Sequence, residues 1–430
     1  MRCVRVYLVL IAILGQLRPA CAGLVLPDDP WQRDAMLREA EARPDAPMPD
    51  AWPRWEKSDG PRRFALELGA DAGMRAKAPF GFGRVPRGDL GSSAAVALLD
   101  SRWEAHAQWQ HWRRPDHGHV DAPDRTWIAA GGEHWAWFAG WVPQWWGPGW
   151  EGSLLLSQAA RPRPTLGVIA HGTLGGERAW EARLFLAKLE RARPVPHPLH
   201  WSMRLALRVN AKLSLALERV AQICGHNRTC GLTPWAKGLV GLDNAGQGGI
   251  TYQNQPGNQL GGISLRWRSP VGDLPYAIYA QGAGEDEAGK LPSKWFWLVG
   301  GEIWQTSWRG FVEYVDTRAK AFYTHPELGT VYNHGLYRMG YRAWGRPLGH
   351  VLDGDARMLS IGALGSLQGL RWMLVARRWR SERAPHPAWR TQLFVHLRYA
   401  LSDALACEVQ GAAGSAAWGA ASLRWRWASE

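Results

Sequence analysis

The chain has 430 residues, 46% of them hydrophobic, with 28 Trp, 49 Gly and a net charge of +13. So many aromatic and apolar side chains exclude a disordered or fibrous chain, and the basic balance favours acidic partners. Export, argued next, removes nucleic acid from that class and leaves acidic polysaccharide and lipopolysaccharide.

Residues 1–22 read as a secretory signal. Arg2 and Arg5 form its positive end, Val6 to Leu14 its apolar run, and Ala20-Cys21-Ala22 its cleavage site, so the mature chain starts at Gly23. The apolar run is too short to cross a bilayer as a helix. Residues 23–60 are rich in Pro and charge and form a periplasmic N-terminal segment. One helix is expected there, from Pro30 to Ala42, capped by Asp28 or Asp29.

From residue 61 to residue 430 the period of the sequence is two. Arg63, Glu67 and Asp71 fall on one face of a strand, and Phe64, Leu66 and Leu68 on the other. Met203, Leu205 and Leu207 oppose Arg204 and Arg208 in the same way. Leu393, Val395, Leu397 and Tyr399 oppose Gln392, His396 and Arg398, while Leu423, Trp425 and Trp427 oppose Arg424 and Arg426. No later stretch is a candidate membrane helix, so a membrane role requires a closed barrel, apolar outside and polar within. About eighteen strands are expected, joined alternately by short turns and by longer loops, among them 143–164, 223–260, 283–293 and 317–355. That parity gives an all-β, transmembrane antiparallel β-barrel with both ends in the periplasm, in the outer membrane of a Gram-negative bacterium.

Signatures of catalysis are missing from the sequence: it has no G-x-S-x-G, no H-E-x-x-H and no P-loop. Asp116-His117-Gly-His119-Val-Asp121, Glu285-Asp286-Glu287 and Asp353-Gly-Asp355 read as solvated loop charge before they read as metal ligands or paired carboxylates. An enzyme, a metal and a cofactor are therefore not expected. Trp135 to Trp150 suits a membrane-interface girdle better than a sugar platform. Cys224 and Cys230 are spaced to close a small disulfide loop in an oxidising compartment, and Cys407 reads as an unpaired small hydrophobe.

Several stretches also resemble a known family. Val142-Pro-Gln-Trp-Trp-Gly-Pro-Gly-Trp-Glu-Gly-Ser-Leu154 is similar to the signature of the outer-membrane capsule assembly protein Wzi family. Gln255-Pro-Gly-Asn-Gln-Leu-Gly-Gly262, Gly284-Glu-Asp-Glu-Ala-Gly-Lys-Leu-Pro-Ser293, Asp316-Thr-Arg318 and Gly340-Tyr-Arg-Ala-Trp-Gly-Arg-Pro-Leu-Gly349 continue the resemblance in order. It implies an eighteen-stranded barrel with a lectin-like role, retaining capsular or extracellular polysaccharide at the cell surface. It brings no catalytic residues. Trp145, Trp146, Glu285, Asp286, Asp316 and Arg318 become the candidate sugar-contacting residues. The expected partners are that polymer, outer-membrane lipid and lipopolysaccharide, bound to a monomer; the alternative role is a substrate-specific porin. Two departures stand out. Residues 23–60 leave room for only one or two short helices where the family has a helical bundle. The chain also ends Trp427-Ala-Ser-Glu430 and not on an aromatic residue.

Overall fold

The computed structural model describes residues 23–26, 29–42, 48, 50–56, 62–74, 90–113, 119–231, 251, 257–269, 275–288, 291–321 and 324–429. The expected signal (1–22), most of the loops at 75–91 and 223–260, and residues 116–118 of the Asp116–Asp121 motif lie outside them.

Alternating sequence becomes one closed antiparallel barrel. Its strands are β1 (Arg63–Met74), β2 (Leu90–Leu99), β3 (Trp103–Arg113) and an interrupted β4 (His119–Ala122 and Trp127–Gly131). Then come β5 (Trp135–Trp141), β6 (Pro164–Thr173), β7 (Ala179–Lys188), β8 (Leu199–Arg208) and β9 (Leu213–Ile223). β10 (Gly257–Arg268), β11 (Tyr276–Ala288), β12 (Leu291–Gln305), β13 (Trp308–Lys320) and β14 (Ala356–Leu367) follow. The last are β15 (Leu370–Ser381), β16 (Arg390–Ala400), β17 (Leu405–Gly414) and β18 (Trp418–Ala428). Both pieces of β4 pair with β3, so they count as one strand and the barrel has eighteen. β18 closes the ring on β1, with Trp425 opposite Leu68 and Ala428 opposite Ala65.

Closure of β18 on β1 lets the ladder groups around the ring bond to one another in place of water. The outward face is apolar: Leu205, Leu217, Ile361, Leu374, Leu393 and Val409 are all exposed. Trp103, Trp135, Trp425 and Trp427, also exposed, sit at the short-turn end, where their rings suit a bilayer interface. The inward face carries charge held in pairs, as buried charge must be. Arg204 bridges Glu181 (2.9 Å) and Glu218 (3.1 Å) across three strands.

Two expectations change. Residues 283–293 do not form a loop: β11 and β12 run on as a paired ladder to Ala288 and Leu291, so the acidic motif lies on a projecting hairpin. The second concerns residues 143–164, which do not stand outside the barrel. Trp145, Trp146, Trp150, Leu154, Leu155 and Leu156 are wholly buried, because this segment turns inward and its rings have the lumen to fill.

The N-terminal segment also packs inward. The helix α1 (Pro30–Ala42) starts at Asp29, whose Oδ1 accepts from the Gln32 amide at 2.8 Å. That is an N-cap on the first turn. Arg38 donates to the carbonyls of Gln305 (2.7 Å) and Trp308 (3.1 Å), which places α1 at the short-turn end of the lumen.

Candidate functional site

The inturned segment Val142–Arg163 is built around Trp-Trp-Gly-Pro-Gly-Trp. Trp145 and Trp146 pair as a short strand with Trp52 and Ala51, and the Trp52 and Trp145 rings stack with centroids 5.5 Å apart. Arg33 of α1 lies 4.4 Å over the Trp150 ring and donates to the Pro148 carbonyl at 2.6 Å. Complete burial lowers the Arg33 guanidinium to about 10, still fully charged at neutral pH. Gly147 has φ +148°, and a Cβ there would meet Gln281 Oε1 at 2.7 Å. Only glycine serves at that turn. Inward polar side chains of the wall then fix the segment. Gln281 donates to the Trp146 carbonyl (2.9 Å) and accepts from the Leu154 amide (2.8 Å). Glu313 accepts from the Trp150 amide (2.6 Å) and the Glu151 amide (3.1 Å), and Glu302 accepts from the Trp150 indole (2.7 Å).

A second layer closes the long-loop end. The loop between β13 and β14 drops two tyrosines onto the first layer and sets a third against the disulfide loop. Tyr332 donates to the Leu154 carbonyl (2.5 Å) and Tyr341 to the Leu155 carbonyl (2.9 Å). Tyr337 donates to the Cys224 carbonyl at 2.9 Å. Burial raises the Tyr332 and Tyr341 phenols, so they stay neutral donors. His350 is fully buried and pushed down to about 3 by that burial. Its ring stands where a Cβ on Gly152 would come within 2.0 Å of it, so the two layers touch at a position with room for nothing larger.

The sequence-derived candidates fall in three places. Trp145 and Trp146 are completely buried and present no face to a sugar; they pack the first layer. Glu285 is buried at the projecting hairpin and accepts from the Tyr332 amide at 2.6 Å. Asp286 follows it in β11, its side chain outside the described residues. Asp316 and Arg318 grip each other at 2.6 and 2.8 Å on the same face of β13 as exposed Val312 and Tyr314, so they face out of the barrel at its outer rim. Cys224 and Cys230 are joined, with Cα atoms 4.7 Å apart. Asp353 is held by Arg342 at 2.6 Å, and Asp355 accepts from the Gly329 amide at 2.8 Å; both carboxylates anchor the loop.

Sequence reasoning missed an aromatic of this loop that does reach solvent. Arg342–Ala343 and Arg346–Pro347 form a small hairpin whose tip, Trp344 and Gly345, has φ +48° and +74°. That turn stands Trp344 up on the outer surface, 41% exposed. Arg161, from the inturned segment, lies 5.4 Å from its ring centroid and pairs with Asp124 at 3.1 Å. Glu190, from the loop between β7 and β8, accepts from the Trp344 amide at 3.1 Å. The signal in the sequence was a Trp-Gly pair between Arg342 and Arg346, with the composition of a turn.

A closed eighteen-stranded barrel with an apolar exterior, a lumen packed in layers and an aromatic and cationic cap is a plugged transmembrane β-barrel of the outer-membrane type. Residues 88–419 match the model of the capsule assembly protein Wzi family. The chain belongs to that family. Its fold is similar to that of Escherichia coli Wzi, an outer membrane protein involved in group 1 capsule assembly and a carbohydrate-binding β-barrel. The TM-score is 0.70 at 20% identity, covering 84% of this chain and 83% of that one. An uncharacterized 55.8 kDa protein in the cps region of Klebsiella pneumoniae is 30% identical over 241 residues, 52% of this chain but only 45% of the relative. The chain thus matches less than half the length of that relative. Acinetobacter baumannii OccAB2 shares the fold alone, at TM-score 0.50 and 8% identity over 86% of this chain and 98% of the other.

Proposed function

We propose that this barrel holds capsular or other extracellular polysaccharide at the cell surface, without catalysis, cofactor or metal, and that contact is made on the outer cap. The observation that carries the reading is Trp344, an exposed indole held up on a strained turn beside Arg161, while Trp145 and Trp146 are sealed below it. An indole face stacks on the apolar face of a pyranose, and a guanidinium forms charge-assisted hydrogen bonds to sugar carboxylates. The carbohydrate binding of Escherichia coli Wzi supports the same role here. In this reading Trp145, Trp146 and Glu285 support the cap without touching sugar, and the barrel acts as a monomer. A long polymer needs only weak contact at each barrel, because many barrels bind it together.

The test is Trp344→Ala with Arg161→Gln, measuring cell-bound against shed polysaccharide alongside heat-modifiable migration of the barrel. Cell-bound polymer should fall several-fold with the barrel folded. Unchanged retention by a folded variant would rule this cap out.

A further inference from the structure

The outer rim of β13, β14 and β15 carries a group of cations that neither the plug nor the cap uses. Arg318 and Lys320 on β13, Arg357 on β14, and Arg378 and Arg380 on β15 fall at alternate positions that continue the outward face of exposed Tyr314, Leu359, Ile361 and Leu374. The register sets them side by side: Asp316 opposite Arg357, Arg357 opposite Arg380, and Leu359 opposite Arg378. Neighbouring strands are about 4.8 Å apart, so one headgroup can reach several of these side chains.

The height of the group matters as much as its charge. A tilted strand climbs roughly 2.5 Å of membrane per residue. Measured from Trp308 at the short-turn end, Asp316 and Arg318 therefore stand ~20–25 Å up, at the outer edge of an apolar band of about that thickness. Trp295 and Trp297, stacked 5.5 Å apart on β12, flank the group, with Trp297 opposite Asp316 and Trp295 opposite Lys320. Trp389 lies 5.3 Å from Arg357 and 5.0 Å from Arg378. This is an interface girdle with guanidinium groups set into it.

The internal pairing is incomplete. Arg318 is matched by Asp316, but Arg357 and Arg380 share the single carboxylate of Glu382, each at 3.1 Å. Among the described residues Arg378 and Lys320 make no ion pair. Cations crowded at the edge of a low-dielectric band repel one another unless an anion joins them. Guanidinium forks suit phosphate oxygens.

We infer that this rim binds the phosphates of an anionic glycolipid of the outer leaflet, of the bisphosphorylated lipid A type, with its acyl chains lying on Leu359, Ile361 and Leu374. The inference needs the barrel to stand in the outer membrane, and it does not depend on polysaccharide binding by the cap. A lipid is favoured over a polymer because the group faces sideways and runs without a break into the apolar band.

The experiment is native mass spectrometry of the full barrel in detergent, titrated with bisphosphorylated lipid A, with lipid A stripped of both phosphates, and with inorganic phosphate. It compares the wild type with Arg357→Gln/Arg378→Gln/Arg380→Gln. Bisphosphorylated lipid A should bind the wild type at least tenfold more tightly than it binds the variant. The stripped lipid should bind both alike and weakly, and inorganic phosphate should compete only at far higher concentration. The single Arg378→Gln, which gives up no ion pair, should lose about threefold and keeps the test informative if the triple variant does not fold. Two results would overturn the inference: equal lipid A binding by folded wild type and variant, or equal wild-type binding of phosphorylated and stripped lipid.

Discussion

Arg309 is the position at which the N-terminal helix is most exposed to a single change. Its guanidinium is fully buried and meets Asp34 at 2.6 Å, Glu41 at 3.0 Å and Glu302 at 3.3 Å, so α1 is clamped to the wall of β12 and β13. Arg309→Met keeps most of the stem and deletes the charge. Removing one partner of a buried ion pair costs about 3–5 kcal/mol. The lower end applies here, because Asp34 keeps Arg38 at 2.8 Å and Glu41 keeps Arg266 at 3.5 Å. A loss of ~3 kcal/mol is roughly a hundredfold in the opening equilibrium. It should fall on α1 and spare the ladder, whose hydrogen bonds do not involve Arg309's side chain. Hydrogen exchange should therefore speed up by about that factor in Pro30–Ala42 and stay unchanged in β7 and β8. The variant also becomes more pH-dependent. Burial raises the Glu41 carboxyl and Arg309 opposes the rise; without Arg309 it rises further. An acid whose folded pKa lies above its unfolded value supplies stability at low pH and loses it as pH increases. Helix protection in Arg309→Met should thus be better at pH 5 than at pH 8. Wild-type exchange rates in α1 of a folded Arg309→Met barrel would refute the clamp.

Other outcomes follow from the same structure. His350, held down to about 3 by burial against an ordinary 6.5, is neutral when folded, so stability is lost as pH falls from 6.5 toward 3, by up to ~1.4 kcal/mol per unit. Exchange in the loop Thr324–Asp355 should rise on acidification to pH 4, and a flat profile from pH 7 would contradict this. Cys224→Ser with Cys230→Ser should cost about 2 kcal/mol of local stability, read as faster proteolysis beside Tyr337, with heat-modifiable migration retained. Gly147→Ala should lower folded yield sharply, since it puts a Cβ against Gln281 on a left-handed turn; normal yield would mean that the turn is not required. In planar bilayers the wild type should be nearly silent, while steady porin-like conductance would favour the substrate-specific porin.

The barrel was legible because lipid enforces the alternation. Each of Leu393, Val395 and Leu397 had to face out for Gln392 and His396 to face in, and no other period fits them. The helix was legible for a local reason: the Asp28-Asp29 pair offers a cap, and Asp29 takes it. The inturned segment was not. Trp145, Trp146 and Trp150 have the composition of an interface girdle, and only partners far along the chain, Gln281, Glu302 and Glu313, draw them into the lumen. The face chosen by Asp316 and Arg318 was readable from Val312 and Tyr314 by counting in twos; the motif they share drew attention to a ligand instead. Trp344 lay inside a stretch marked only as a family resemblance, and its exposure depends on a turn whose φ no pattern of apolar residues reports.

The most direct test of the account is equilibrium binding of purified host surface polysaccharide to the detergent-solubilised barrel, with Trp344→Ala beside it and a neutral dextran as control. The account predicts saturable binding by the wild type, a loss of about tenfold in the folded Trp344→Ala variant, and none to dextran. A folded wild type that binds the polysaccharide no better than dextran would contradict it.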